Sequence, residues 1–219
     1  LNFMLSNGLS TWGVKYISSG LGAIIGSIFP LWIVIISLFR GQKTSWKAVV
    51  GLIVAFGGIC VIFYDYLNDF LRPEFRFGIL LSVIATFTWA LSSLYIKENK
   101  TNFNPYFSLG LQMLISSIVI SSVIGFNGTS VPLSDIPAIS WWSIAYLVIV
   151  GSVLTFIAFI YALENLPTEI SSLYAYINPI VALFFGYLLF NEPLTPAIII
   201  GGTITIIGLY LVNRAIKKK

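Results

Sequence analysis

Between Ile17 and Val212 the chain is nearly one continuous series of apolar stretches, each about 20 residues long, separated by short charged or Pro/Gly-containing breaks. This pattern leaves few folds open. A bilayer core about 30 Å thick takes about 20 apolar residues per helix, whereas a soluble domain cannot bury so many successive stretches. Composition agrees, with 58% hydrophobic and 9% charged residues and a mean hydropathy of +0.94. The fold class expected is all-α, a polytopic transmembrane helix bundle. Helices are expected near 20–39, 48–64, 77–96, 105–125, 139–163, 170–190 and 196–213, with a short polar-flecked one at 1–16. That makes about eight helices.

The helix ends carry local signals. Asn104-Pro105 and Thr195-Pro196 each place a capping side chain before a proline at the first helical position, where the missing N–H costs nothing. Thr168 with Glu169 is expected to open another helix, the acid lying at the positive end of the dipole.

Several chemistries are excluded by what the chain lacks. It has no His and a single Cys, Cys60, so imidazole metal sites, His-based catalysis and an internal disulfide are ruled out. No catalytic residue, metal ligand or cofactor is expected, and the chain is not read as an enzyme. Leu1 is not an initiator Met and residues 1–16 are short for a span, so the chain is expected to begin inside a helix of a longer protein.

Orientation follows from the basic residues. With the C-terminus cytoplasmic, the inner side receives Arg40, Lys43, Lys47, Lys97, Lys100, Arg214, Lys217, Lys218 and Lys219, leaving only Lys15, Arg72 and Arg76 outside. The expectation is a multi-pass protein of the cell (inner) membrane. Its basic tail, 214–219, acts as a topology anchor near anionic headgroups and not as a nucleic-acid site.

One half of the chain echoes the other. Aligning Pro30 with Pro179 sets Lys15-Tyr16-Ile17 over Glu164-Asn165-Leu166. After a one-residue slip, Gly51 meets Gly201, Gly58 meets Gly208 and Ser45 meets Thr195. The copies, 1–64 and 76–213, have opposite topology because an odd number of helices separates counterparts. Inverted repeats of this kind allow two similar halves to exchange conformations around a shared site.

The run Tyr161-Ala162-Leu163-Glu164-Asn165-Leu166-Pro167, the mid-helix Asn178-Pro179, the turn Asn191-Glu192-Pro193-Leu194, and Gly201 and Gly208 carry a family resemblance. On these residues the chain resembles the drug/metabolite transporter superfamily and, within it, the ten-helix EamA-type permeases. In the first copy Gln42-Lys43 stands where the second has Glu192-Pro193. The resemblance implies a 5+5 inverted-repeat bundle that moves small organic solutes through a central cavity. The chain would supply helices three to ten: 1–64 as a truncated first repeat and 76–213 as the second.

Candidate cavity residues come from polar stripes on apolar helices, because polar groups facing lipid are costly. Helix 77–96 carries Ser82, Thr86, Trp89 and Ser93 on one face. Helix 170–190 carries Ser171, Tyr174 and Asn178, helix 139–163 carries Ser152 and Thr155, and the N-terminal segment carries Asn7 and Ser10. The residues selected for solute binding are Trp89, Ser93, Thr86, Thr155, Tyr174, Asn178, Asn7 and Ser10. The stripe of Ser108, Gln112 and Ser116 is assigned to helix packing. Pro30 and Pro179 each remove a mid-span backbone hydrogen bond and are candidate hinges or gates.

The function expected is a permease or exporter of small organic metabolites, amino acids or aromatic and amphiphilic compounds, working by alternating access. A lipid or lipid-linked-sugar flippase on the same fold, or a non-transporting membrane scaffold, is the alternative. The partners expected are the lipid bilayer and a small-molecule solute, with a homodimer allowed and nucleic acid excluded.

Overall fold

The computed structural model describes residues 2–42, 44–98, 104–126, 132, 135–190 and 193–217. Lys43, Lys100, Asn191, Glu192, Lys218 and Lys219, used above for topology or resemblance, lie outside them. The described chain is all-α. Its α-helices are α1 (Gly8–Val14), α2 (Ser19–Gly26), α3 (Phe29–Phe39), α4 (Trp46–Ile62), α5 (Arg76–Glu98), α6 (Pro105–Phe126), α7 (Ala138–Tyr146), α8 (Thr155–Asn165), α9 (Thr168–Ser171), α10 (Tyr174–Phe190) and α11 (Pro196–Lys217). π-Helical turns, Asn2–Asn7 and Leu147–Leu154, precede α1 and α8.

Six spans among the described residues are long and apolar enough to cross a membrane: Ser19–Phe39, Pro73–Glu98, Pro105–Val123, Ala138–Asn165, Thr168–Leu189 and Pro196–Ile216. A seventh forms if Trp46–Ile62 is joined to the 3-10 segment Tyr64–Leu71, which turns away from it by 91°. The 17 residues of α4 are marginal for a span, which is why this element depends on its continuation. The chain is a multi-pass membrane protein.

The caps form where the sequence places them in two cases. Asn104 Oδ1 accepts from the amides of Tyr106 and Phe107 at 2.9 and 3.3 Å, and Thr195 Oγ1 accepts from the Ile198 amide at 3.3 Å. α9 opens at Thr168 with Glu169 in its first turn, as expected, and the Pro167 carbonyl takes the Ile170 and Ser171 amides. Ser18, passed over in the sequence, caps α2: its Oγ accepts from the Leu21 amide and donates to Asp69 Oδ2 at 2.8 Å.

The chain divides into two compact units, residues 1–96 with 167–219, and residues 97–166. In the first, α4 and α11 run antiparallel with their backbones in contact. A Cβ on Gly51 would lie 3.0 Å from the Gly208 carbonyl oxygen, and one on Gly208 would lie 2.7 Å from the Gly51 oxygen. Only glycine permits that approach, which is how small residues bind helices together where no hydrophobic force acts between them. Thr205, fully buried in the same seam, donates to the Gly201 carbonyl at 2.8 Å and lies 3.3 Å from the Ala55 carbonyl. The core beside it gathers Ile24, Val34, Leu52, Ile59, Tyr176 and Val212. The Tyr176 hydroxyl donates to the Leu52 carbonyl at 3.4 Å.

In the second unit, Lys97 stands at the end of α8. Its ammonium donates to the carbonyls of Leu163, Glu164 and Leu166, the last two at 3.2 and 2.9 Å. A cation thus serves the unpaired acceptors and negative dipole end of the helix. Leu147, Val148, Ile149 and Leu154 in this unit are exposed, as lipid-facing residues of a membrane span are.

Candidate functional site: an uncharged cavity in the first unit

The helices of the first unit line an open cavity of about 440 Å³. The π-turn and start of α1 contribute Ser6, Asn7 and Ser10; α2 and α3 contribute Ala23, Gly26 and Phe29. From α5 come Ala85, Thr86 and Trp89, and from α10 with the residues around its kink come Tyr174, Ala175, Asn178, Pro179 and Ala182. No lining residue carries a carboxylate, ammonium or guanidinium group.

Three rings form one wall. The Phe29 and Trp89 centroids are 6.5 Å apart with planes at 72°, and those of Phe29 and Tyr174 are 5.7 Å apart at 49°. Such edge-on and tilted contacts satisfy the ring quadrupoles and hold large side chains with little motion. Ser6 donates from Oγ to the Ala85 carbonyl at 2.9 Å and is buried, which ties the π-turn to α5. The Thr86 hydroxyl donates to the Val83 carbonyl at 3.0 Å, so in this geometry it offers lone pairs and not a proton to the cavity.

The two prolines sit differently, and of the two only Pro179 lines the cavity. Pro30 is fully buried in the first turn of α3, just after the helix breaks at Ser27 and Ile28. Pro179 lies inside α10, where the chain stays helical. At the break the Ser27 hydroxyl donates to the Ala23 carbonyl at 2.8 Å, which also takes the Ser27 amide at 3.0 Å. The same hydroxyl lies 3.4 Å from the Ala175 carbonyl, the acceptor that Pro179 cannot serve.

The structure brings Asn7, Ser10, Thr86, Trp89, Tyr174, Asn178 and Pro179 together around this cavity. Ser93 stands apart, fully buried with its hydroxyl on the Trp89 carbonyl at 2.8 Å. Ser82 packs against Gly13, where an added Cβ would come within 2.7 Å of its Oγ. Ser171 is also buried, near the start of α10. Thr155 belongs to the second unit and donates to the Val150 carbonyl at 2.7 Å across the π-turn. Sequence reasoning passed over Phe29, Gly26 and Ser6. The pattern held one signal for the first two: Phe29 and Gly26 align with Asn178 and Ala175 when Pro30 is set on Pro179.

Comparison with known proteins agrees with this architecture. Residues 1–64 and 76–214 match the EamA-like transporter family. An uncharacterized transporter of Archaeoglobus fulgidus is 28% identical over 92% of this chain and 70% of its own length. The uncharacterized transporter YoaV of Bacillus subtilis is 22% identical over 93% of this chain and 70% of its own length. The uncharacterized inner membrane transporter YedA of Escherichia coli K12 is 26% identical over 82% and 56%. One solved crystal structure superposes with a TM-score of 0.77 at 13% identity, over 97% of this chain and 73% of that one, which shows a shared fold. With a matched family over both stretches of an all-helical multi-pass chain, the protein belongs to the EamA-like transporter family.

Proposed function

We propose that the protein is a permease of the cell membrane that carries small organic solutes, amino acids or aromatic and amphiphilic compounds, by alternating access between two inverted repeats, 1–64 and 76–213. The observation that carries this reading is the composition of the cavity: three aromatic rings, two amides and several hydroxyls, with no formal charge, lined from both stretches. Such walls bind solutes that are part apolar and part hydrogen-bonding. They suit a densely anionic solute poorly, since no lysine or arginine stands ready to pair with it. The reading is supported by the lining, which includes both members of the sequence-matched pairs Gly26 with Ala175 and Phe29 with Asn178, as a site between exchanging halves would.

In this account Pro30 and Pro179 are the hinges. Each removes one backbone bond from a span beside the cavity, which lowers the resistance to bending there. The C-terminus is cytoplasmic by the distribution of basic residues.

The test is flux of a labelled amino-acid and metabolite panel in proteoliposomes of the purified protein, with and without a pH gradient. Saturable flux of one solute class supports the permease. Absence of solute flux together with accelerated lipid scrambling would replace it with the flippase.

A further inference from the structure

The stretch that joins the two repeats, 64–75, is fastened to the first of them. After α4 the chain turns by 91° into the 3-10 segment Tyr64–Leu71, and a second 3-10 turn, Pro73–Phe75, leads into α5. The 8 residues of the first segment are many for a 3-10 helix, whose hydrogen bonds are poorly aligned, so contacts with the rest of the fold must hold it.

Three sets of contacts do so, and each reaches the start of α2. Asp69 is buried with both carboxylate oxygens engaged: Oδ2 accepts from the Ser18 hydroxyl at 2.8 Å, and Oδ1 lies 3.4 Å from Nε of Arg72. Because Ser18 is also the cap of α2, one hydroxyl links the helix end to this strap. The Tyr66 ring lies on Gly20, where an added Cβ would overlap it. Phe70 and Phe75 pack on the cluster of Ile17, Leu21 and Ile25, and the Arg72 guanidinium stands 5.9 Å from the centre of the Phe75 ring.

α2 is also a wall of the cavity. It contributes Ala23 and Gly26, which lie about 7 and 12 Å along the helix from Ser18. By the distribution of basic residues, Ser18 and Asp69 stand at the outer end of the bundle. Any outward swing of that end of α2 must break the Ser18–Asp69 bond and lift Tyr66 from Gly20.

We propose that the linker between the repeats is an outer latch, with the Ser18–Asp69 bond as its catch: the cavity meets the outer water when this bond is broken. The proposal rests on the alternating-access reading of the cavity. A single charge-assisted hydrogen bond suits the role, being strong enough to bias a two-state equilibrium and weak enough to break in every cycle.

The experiment measures, in a Cys60→Ser background, the rate at which Ala23→Cys reacts with a membrane-impermeant methanethiosulfonate added outside intact cells. Ser18→Ala and Asp69→Ala are each expected to speed labelling about tenfold, and the double variant no further, since both remove one bond. Asp69→Asn, which keeps an acceptor for Ser18 but not its charge, is expected to fall between. Gly20→Ala, which displaces Tyr66 and leaves the polar catch intact, is expected to speed labelling as well. Lys97→Met, which destabilises the second unit without touching the strap, is expected to leave the rate within about twofold and so separates unlatching from general loosening. Unchanged labelling in Ser18→Ala and Asp69→Ala, or equal acceleration by Lys97→Met, overturns the proposal. Labelling needs no solute, so it is read independently of flux: faster labelling with no flux of any solute keeps the latch and removes the permease, whereas unchanged labelling with saturable flux does the reverse.

Discussion

A Cβ on Gly58 would lie 2.6 Å from the carbonyl oxygen of Gly201, and a Cβ on Gly201 would lie 2.6 Å from the carbonyl oxygen of Gly58. Gly51 and Gly208 stand in the same reciprocal relation. The sequence alignment sets Gly51 on Gly201 and Gly58 on Gly208, so exchanging counterparts turns one contact into the other. That is the signature of a two-fold relation, in which residue i touches j and j's counterpart touches i's. Because α4 and α11 are antiparallel here, the axis crosses the helices instead of running along them, as inverted repeats require.

Replacing Gly58 or Gly201 with Val forces these backbones apart. Overpacking of a close seam costs about 1–3 kcal/mol, so each variant is expected to lose thermal stability and monodispersity in detergent. Gly57→Val is the control, since nothing lies within 4 Å of a Cβ there. Melting curves of the three variants check it.

Lys97→Met removes the ammonium from three carbonyls at the end of α8 while keeping most of the stem. The expected loss is about 1–2 kcal/mol, read as earlier proteolysis after Leu163 or a lower melting temperature. Lys97→Arg should recover part of it.

The orientation predicts labelling. In a Cys60→Ser background, Glu74→Cys should react with a membrane-impermeant maleimide in intact cells, whereas Gln42→Cys should react only after permeabilisation. The reverse pattern would invert the topology.

With no carboxylate or imidazole on the cavity wall, solute flux is expected to stay within about twofold when a pH gradient is imposed. A gradient that drives accumulation would require a titrating group elsewhere in the transport path.

The spans are legible in the sequence because bilayer thickness dictates a length and charged or proline-bearing turns mark its ends; Asn104 and Thr195 are caps by the same local logic. Thr168 and Glu169 open α9 as their order implies, with the acid in the first turn at the positive end of the dipole. On the cavity, the polar stripe of α5 points to Thr86 and Trp89, since a polar residue in an apolar helix stands out. Phe29 and Gly26 do not stand out by polarity in a segment where nearly every residue is apolar, and their one mark in the sequence is the alignment with Asn178 and Ala175 under the matched prolines. Ser93 shows how a hydroxyl in a stripe can be satisfied by its own helix, since it donates to the Trp89 carbonyl. The π-turns at Asn2–Asn7 and Leu147–Leu154 leave no mark in the residue pattern, because one extra residue per turn changes no side-chain chemistry.

The most direct test of the central claim, that the uncharged cavity carries the solute, is the initial rate of solute flux in proteoliposomes of the wild type, Asn178→Ala and Trp89→Ala at equal reconstituted amounts. The account predicts saturable wild-type flux and about a tenfold loss of kcat/KM in each variant with insertion and melting behaviour unchanged. Wild-type rates in both variants would contradict it.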